Sequence, residues 1–268
     1  MYKGFSRFAF SSGKRGSRAL RFIVPLILLV AFWQAVVTLF QVSPRVFPDV
    51  PMVAKAGWQA WSDGSLLAHT AASLWRIAVG ATLALVTAIP LGILMGINKG
   101  VSSFLTPLLR FFSALAGIAW IPIATLWFGY GFGAITFIIF NAVFFIVVYN
   151  TLLGVSTIPM QLRHAAASLG ASRTQMLFQV LLPGALANIV MGIRTGMGFA
   201  WRGLIAAEII ATNLGLGYML FLARDFYRTE VIVFTMIIIG LIWLALDSLL
   251  LAPLERATVE RWGMVQKS

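Results

Sequence analysis

The sequence predicts an all-α, polytopic membrane protein, and three observations carry that expectation. Of 268 residues, 60% are hydrophobic and only 10% are charged, too little charge to cover the surface of a soluble domain. Several uninterrupted apolar runs exceed the roughly 18–20 residues with which a helix crosses a bilayer. No stretch shows the period-two alternation, over about 10 residues, of a membrane β-barrel strand.

In chain order, six basic residues (Lys3, Arg7, Lys14, Arg15, Arg18 and Arg21) come first. Residues 1–21 therefore read as a basic cytoplasmic tail that orients the chain and meets anionic lipid. "SSGKRGS" within it is not a phosphate-binding loop, because Phe8 and Arg15 stand where the motif needs Gly and Ser/Thr. The apolar run from Phe22 to Val42 is too long for a signal-peptide core and lacks a small-residue cleavage site before Ser43-Pro44. It reads as a first span starting inside. The segment holding Pro44, Pro48, Pro51, Trp58 and Trp61 reads as an outer connection with a short interfacial helix. Further spans are expected near 70–97, 104–128, 134–153, 184–211 and 231–251. The membrane domain then covers 22–255, with a cytoplasmic loop at about 154–183 and a cytoplasmic tail at 256–268.

Charge supports this six-helix scheme with both termini inside. The inner segments collect the six N-terminal cations, Lys99, Arg110, Arg163, Arg173, Arg256, Arg261 and Lys267, while the outer segments hold Arg45, Lys55, Arg224 and Arg228, with Arg76 near an outer helix end. Small residues mark helix contacts. Gly92 and Gly96 form a GxxxG step. Gly192, Gly196, Ala200, Gly203 and Ala207 line one face of the fifth span, suited to close packing or, in a dimer, to part of the subunit interface.

Several function classes drop out. The net charge of +12 is concentrated in the tail and lacks a folded basic face with stacking aromatics, so nucleic-acid binding is not expected. No cysteine is present, which removes disulfides, thiolate metal sites and thiol catalysis. The two histidines are far apart, and no Ser/His/Asp set is brought to one depth. No catalytic residue and no metal ligand is assigned.

The cytoplasmic loop interrupts the apolar pattern with an amphipathic stretch. Pro159 opens a helix with an apolar stripe of Leu162, Ala165, Ala166 and Leu169. Gly170 supplies a left-handed terminating position. Ser172 is placed to cap a second helix through Leu182, which Pro183 is expected to close. His164-Ala165-Ala166, three residues, Gly170, nine residues, Val180, one residue and Leu182-Pro183 resembles the EAA loop of bacterial ABC importer permeases, with His164 where that family usually has Glu. "AWIPIATLWFGYG" (Ala119–Gly131), "GIRTGMGFAWRGLIAAEII" (Gly192–Ile210) and "NLGLGYML" (Asn213–Leu220) are similar to the branch that imports nitrate, sulfonates and taurine.

This resemblance covers about residues 20 to 255. It implies a type I importer permease fold in the bacterial inner membrane, with the loop as a coupling helix. The coupling residues carried over are His164, Ala165, Ala166, Leu169, Gly170, Leu182 and Pro183. It further implies a second permease copy, two cytoplasmic ATPase subunits that bind the ATP and Mg, and a periplasmic or lipid-anchored substrate-binding protein docking on the outer loops Pro44–Trp61 and Asn213–Glu230. An ATP-independent carrier or channel would account for hydropathy and charge bias but leaves the loop without a role.

Charges within spans are expensive unless they face protein, water or a partner. Arg194 and Arg202 are two turns apart and can share a face. Structural pairs Arg202–Glu208 or Arg194–Asp247 are one reading; the other is that the arginines favour passage of an anion. Trp120, Pro122, Arg194, Arg202 and Glu208 are therefore the pathway or gate candidates, with Trp127 able either to shape a gate or to pack in the core.

Overall fold

A computed structural model describes residues 14–259; Lys3, Arg7 and Gly13 before them, and Arg261 and Lys267 after them, lie outside the described residues. Among the described residues there are helices and no strand. α1 (Lys14–Leu39) leads through a turn to α2 (Val50–Ser62), the short outer helix. Asp49 caps α2 by accepting from the Met52 amide at 2.8 Å, and Pro51 occupies the first turn, where no amide is needed. Trp58 and Trp61 remain exposed, as on a helix lying at an interface. Trp33 donates to the Pro48 carbonyl and the Val50 amide donates to Gln34, tying α1 to the entry of α2.

α3 (Ser65–Ile97), α6 (Phe132–Ser156), the helix Arg173–Ala211 and the helix Thr229–Thr258 are long and apolar enough to cross a membrane. The third expected span departs from the expectation. It is not one helix over 104–128 but α4 (Lys99–Ala114) and a second limb, Gly117–Phe128, bent by 90°. Leu115 and Ala116 take extended backbone at the break, with ψ of 120° and 135°. A 3₁₀ turn at Gly117–Trp120 follows, and Pro122 restarts the chain as α5 (Ile121–Phe128). Counted as one span the pair makes a fifth; the apolar stretch of α1, Ile27–Leu39, is shorter.

α6 is the central helix, flanked along its length by α3 and by α9 (Leu182–Ala211). Ile135, Ile139, Val143 and Val147 of α6 are fully buried. Lipid is as apolar as these side chains, so close van der Waals packing holds the seam together, and small residues permit it. A Cβ at Gly80 would sit 2.7 Å from Ile139, and at Gly92 and Gly96 it would sit 2.6 Å from Thr151 and Val155. On the other side a Cβ at Gly192 would meet Asn150 at 2.7 Å and one at Gly196 would meet Val143 at 3.3 Å. The small-residue face of α9 is thus used within the chain, against α6, and is not free for a subunit interface.

Beyond the C-terminal end of α9, α10 (Leu216–Asp225) folds back and leads into α11 (Thr229–Leu246). Its N-terminus is held by a buried polar network. Glu208 is completely buried and accepts from Ser73 at 2.8 Å, from Arg76 at 2.7 Å and from the Gly217 amide at 3.0 Å. The Gly215 amide donates to His69 Nδ1 at 2.9 Å, and the Leu216 amide to Ser73 at 3.0 Å. Arg76 also donates to Thr212 and to the Leu214 carbonyl. A carboxylate at a helix N-terminus satisfies otherwise orphaned amides and meets the positive end of the helix dipole. Gly215, at φ +136°, leaves only 2.3 Å between a would-be Cβ and the carboxyl carbon, so the turn needs glycine.

Two predictions follow from the packing. Glu208→Ala leaves Arg76 buried without its counter-charge and is expected to destabilise the protein by about 3–5 kcal/mol, whereas a paired Arg76→Met, Glu208→Leu replacement recovers much of that. Thermal unfolding of detergent-solubilised protein reads this; equal melting of Glu208→Ala and parent would refute it. Gly92→Val is expected to collapse the α3–α6 seam, while Gly240→Ala, with nothing within 4 Å, leaves the melting temperature unchanged or higher because alanine favours a helix by about 1 kcal/mol. Size-exclusion monodispersity and melting together check the contrast.

Candidate functional site

The hairpin at 159–182 is built from local signals. α7 (Met160–Ser168) starts after Pro159. It closes with the Ala171 amide bonded to the Ala166 carbonyl and the Gly170 amide bonded to the Ala167 carbonyl, both at 3.0 Å. These two bonds form a Schellman end, and Gly170 at φ +79° supplies its left-handed residue. Ser172 then caps α8 (Arg173–Gln175) with a reciprocal box, the Gln175 amide donating to Ser172 Oγ and the Ser172 amide to Gln175 Oε1. His164, Ala165, Leu169 and Gly170 are exposed, Leu169 at 89%, while Ala166 is half-buried. Met176 and Leu177 pack against a buried cluster of Val155, Ile158, Leu181, Ala185 and Ile189, which roots the hairpin in the bundle.

Pro183 does not close the second helix. The chain runs without interruption from Arg173 to Ala211 through a π-helical stretch, Met176–Leu181. Proline has no amide and its ring clashes with the carbonyl four residues back; a wider turn just before it relieves both problems. Leu182 and Pro183 are accordingly half-buried within a helix, not at a loop tip.

The expected pathway residues separate. Arg194 is bound by Asp247 through Nε at 2.9 Å and Nη2 at 2.8 Å, and its Nη1 reaches Glu255 on α12 (Ala252–Val259). The Arg194–Asp247 pair therefore forms. The Arg202–Glu208 pair does not, because Glu208 turns to Arg76 and α10. Arg202 is rotated by about 80° from Arg194 and about 120° from Glu208, while Arg194 and Glu208 are separated along the axis by about 21 Å, so the three have different surroundings. Glu208 is a strut inside the outer network and lines no groove in this structure.

Arg202 is exposed and lies over the Phe199 ring at 5.8 Å. It lines a groove of about 590 Å³ between the α4–α5 break, α6 and α9, together with Ser113, Asn141, Tyr149, Thr195 and Phe199. The Tyr149 hydroxyl is buried and, among the described residues, has no hydrogen-bond partner. A cation and an amide in a largely apolar groove can together hold a small anion. Trp120 stands beside this groove, not on its lining: it packs between Phe112 at 6.0 Å and Phe137 at 5.8 Å. Trp127 also packs on Phe137, and Pro122 is exposed in the first turn of α5. Tyr149 is missing from the expected set because an isolated tyrosine in an apolar run reads as core. Arg76 was visible only as a lone cation in a span.

The α1–α2 and α10–α11 connections converge. Thr229 donates to the Arg45 carbonyl at 2.7 Å, and a cleft of about 360 Å³ is lined by Arg45, Lys55, Gln59, Tyr227 and Glu230. Beside it Asp63 is held below the usual carboxylate range by hydrogen bonds from the Ser65 side chain and amide.

Several known proteins are similar to the chain. The taurine transport system permease protein TauC of Escherichia coli is 37% identical over 90% of this chain and 89% of its own length. The putative aliphatic sulfonates transport permease protein SsuC of Bacillus subtilis is 32% identical over 82% of this chain and 80% of its own. The bicarbonate transport system permease protein CmpB of Synechococcus elongatus is 34% identical over 75% and 70%. Among solved structures, a chain of the inward-facing MetNI methionine ABC transporter shares the fold with a TM-score of 0.51 at 20% identity, over 68% of this chain and 92% of that one. The family described as the binding-protein-dependent transport system inner membrane component matches residues 88–252, and with that match and those relatives the chain belongs to this family of multi-pass permease subunits.

Proposed function

We propose that the chain forms the translocation pathway of an ATP-driven, binding-protein-dependent importer for a small anion such as a sulfonate, taurine, nitrate, bicarbonate or an organic acid. The observation that carries this reading is the hairpin 159–182. It exposes His164, Ala165, Leu169 and Gly170 at one end of the bundle and continues into α9, whose Arg202 faces the groove. The spacing of the EAA loop is supported by the geometry that spacing calls for: a short helix, a left-handed glycine and a capped return.

In this reading a homodimer of the chain, in a six-span arrangement with both termini cytoplasmic, sits in the bacterial inner membrane. The basic tail before residue 22, the membrane domain 22–255 and the tail from 256 are its parts. Two cytoplasmic ATPase subunits hold ATP and Mg and grip the hairpins. A periplasmic or lipid-anchored binding protein delivers cargo to the cleft between the outer connections. Closing the ATPase pair moves the hairpins and shifts the bundle between two access states, each favoured by different contacts. His164, where the family usually carries Glu, places an imidazole at the ATPase contact.

For the anion, the supporting feature is Arg202. Among the described residues it has no carboxylate partner, in contrast to Arg194, which is neutralised by Asp247 and Glu255. An uncompensated guanidinium over an aromatic ring in a low-dielectric groove attracts an oxyanion and repels a cation.

Gly170→Val forces a β-branched residue into left-handed backbone, a strain of about 1–2 kcal/mol, and is expected to abolish ATPase co-purification and transport while membrane insertion is unchanged. Normal transport by this variant would remove the coupling assignment. Arg202→Gln is expected to retain the ATPase and lower uptake of taurine, an alkanesulfonate or bicarbonate into binding-protein-loaded proteoliposomes by about tenfold, near 1.4 kcal/mol. Unchanged uptake of all three would show that the anion does not pass Arg202. Uptake by the chain alone, without an ATPase, would favour the carrier reading instead.

A further inference from the structure

α7 is nearly all surface, yet Arg163 and Ala166 are half-buried, and Arg163 is the one charged side chain of the two. Arg163 is half-buried while the neighbouring His164 and Ala165 are exposed. Its Nη2 donates to the carbonyl of Val155, in the last turn of α6, and its Nε is buried with no partner among the described residues. The last turn of a helix presents carbonyls without intrahelical donors and carries the negative end of the dipole, so a guanidinium there is well matched.

The residue that Arg163 grips is a junction. Val155 is fully buried and clusters with Leu181, Ala185 and Ile189, which lie on the helix that follows the hairpin. It also fills the space in front of Gly96 of α3, where an added Cβ would lie 2.6 Å from its own. Three helices of the bundle therefore meet at Val155, and α7 is bonded to its backbone. The chain between α6 and α7 is only Thr157, Ile158 and Pro159. Without the Arg163 bond those residues would be the direct covalent tie of α7 to α6.

The hairpin has two routes into the bundle. One passes along Arg173–Ala211, but it crosses the π-helical stretch Met176–Leu181, where the winding is irregular. The other passes from α7 through Arg163 to the end of α6. We propose that Arg163 is a positioning residue that locks α7 to the cytoplasmic end of α6, so that displacement of the hairpin is delivered to the central helix and not absorbed in the 157–159 connection. This rests on the reading that the hairpin docks on an ATPase. Arg163 itself stands one residue before the EAA-like motif and is not among its positions.

The test uses the complete importer in nanodiscs. The chain has no cysteine, so Leu153→Cys on α6 and Ala167→Cys on α7, both exposed, are its only labelling sites, and diluting the labelled chain with unlabelled chain, with cysteine-free partner subunits, leaves one spin-label pair per importer. In the otherwise unaltered chain the inter-label distance is expected to be narrow and identical with and without trapped ATP, because the two elements move as one body. In Arg163→Leu the distance broadens, the ATPase still co-purifies, and substrate moved per ATP hydrolysed falls about tenfold. Arg163→Lys, which keeps a cationic donor, recovers part of that ratio. A labelled parent whose distance changes with nucleotide overturns the proposal, and this holds even if Arg163→Leu fails to fold. So does an Arg163→Leu importer with the parent's transport-to-ATP ratio. A parent chain that never retains the ATPase overturns the docking reading, and the Arg163 role with it.

Discussion

The carboxylate of Glu208 and the guanidinium of Arg76 are buried, with 0% and 7% of their side chains exposed, and the way they are satisfied fixes the end of the bundle where α10 folds back. An ionised group in such surroundings must be matched bond for bond. Glu208 does this with one cation, one hydroxyl and one helix-terminal amide, drawn from α3 and α10 while it stands on α9. Three helices are thereby held at one rotation. The rotation of α9 in turn decides which way its other charges look: Arg194 toward Asp247 and the C-terminal helix, Arg202 toward the groove. A polar network at one end of the bundle thus sets the electrostatics of the middle.

Much of this architecture is legible in the sequence because it rests on local or periodic signals. The long apolar runs gave α3, α6, α9 and α11 at nearly the expected places. Asp49, Ser172 and Gly170 announce their caps and turns by residue type, since each role needs that chemistry within a few residues. The 90° break near Leu115 was hidden because nothing there is polar: Leu115, Ala116 and Gly117 are as compatible with a span as with a bend, and tertiary packing chooses. The continuation through Pro183 was hidden for the opposite reason, because proline ordinarily ends a helix and only a wider turn can carry the chain past it.

Partner choice among buried charges was the least legible part. Spacing along one helix narrows which charges can meet within it, but the counter-charge for Glu208 comes from a residue 132 positions away. Arg194 found the one partner expected for it, Asp247, and a second, Glu255, that was not expected. Arg163 and Tyr149 escaped notice because their significance lies in what they touch or fail to touch. A sequence pattern identifies a residue's type and phase, not the helix that will arrive opposite it.

The π-helical stretch at Met176–Leu181 has a consequence for counting. A wide turn takes in one residue beyond the α-helical period, and so side chains before and after it are out of phase by about 100°. Two positions seven apart across this stretch, such as Gln175 and Leu182, do not share a face, although a helical wheel drawn from Ser172 to Ala211 would say they do. The return limb of the hairpin and the groove-facing arginine thus belong to one unbroken helix but to two separate registers. Removing one of residues 176–178 would bring them into step, at the expense of Pro183, whose ring would then meet the carbonyl of Gln179.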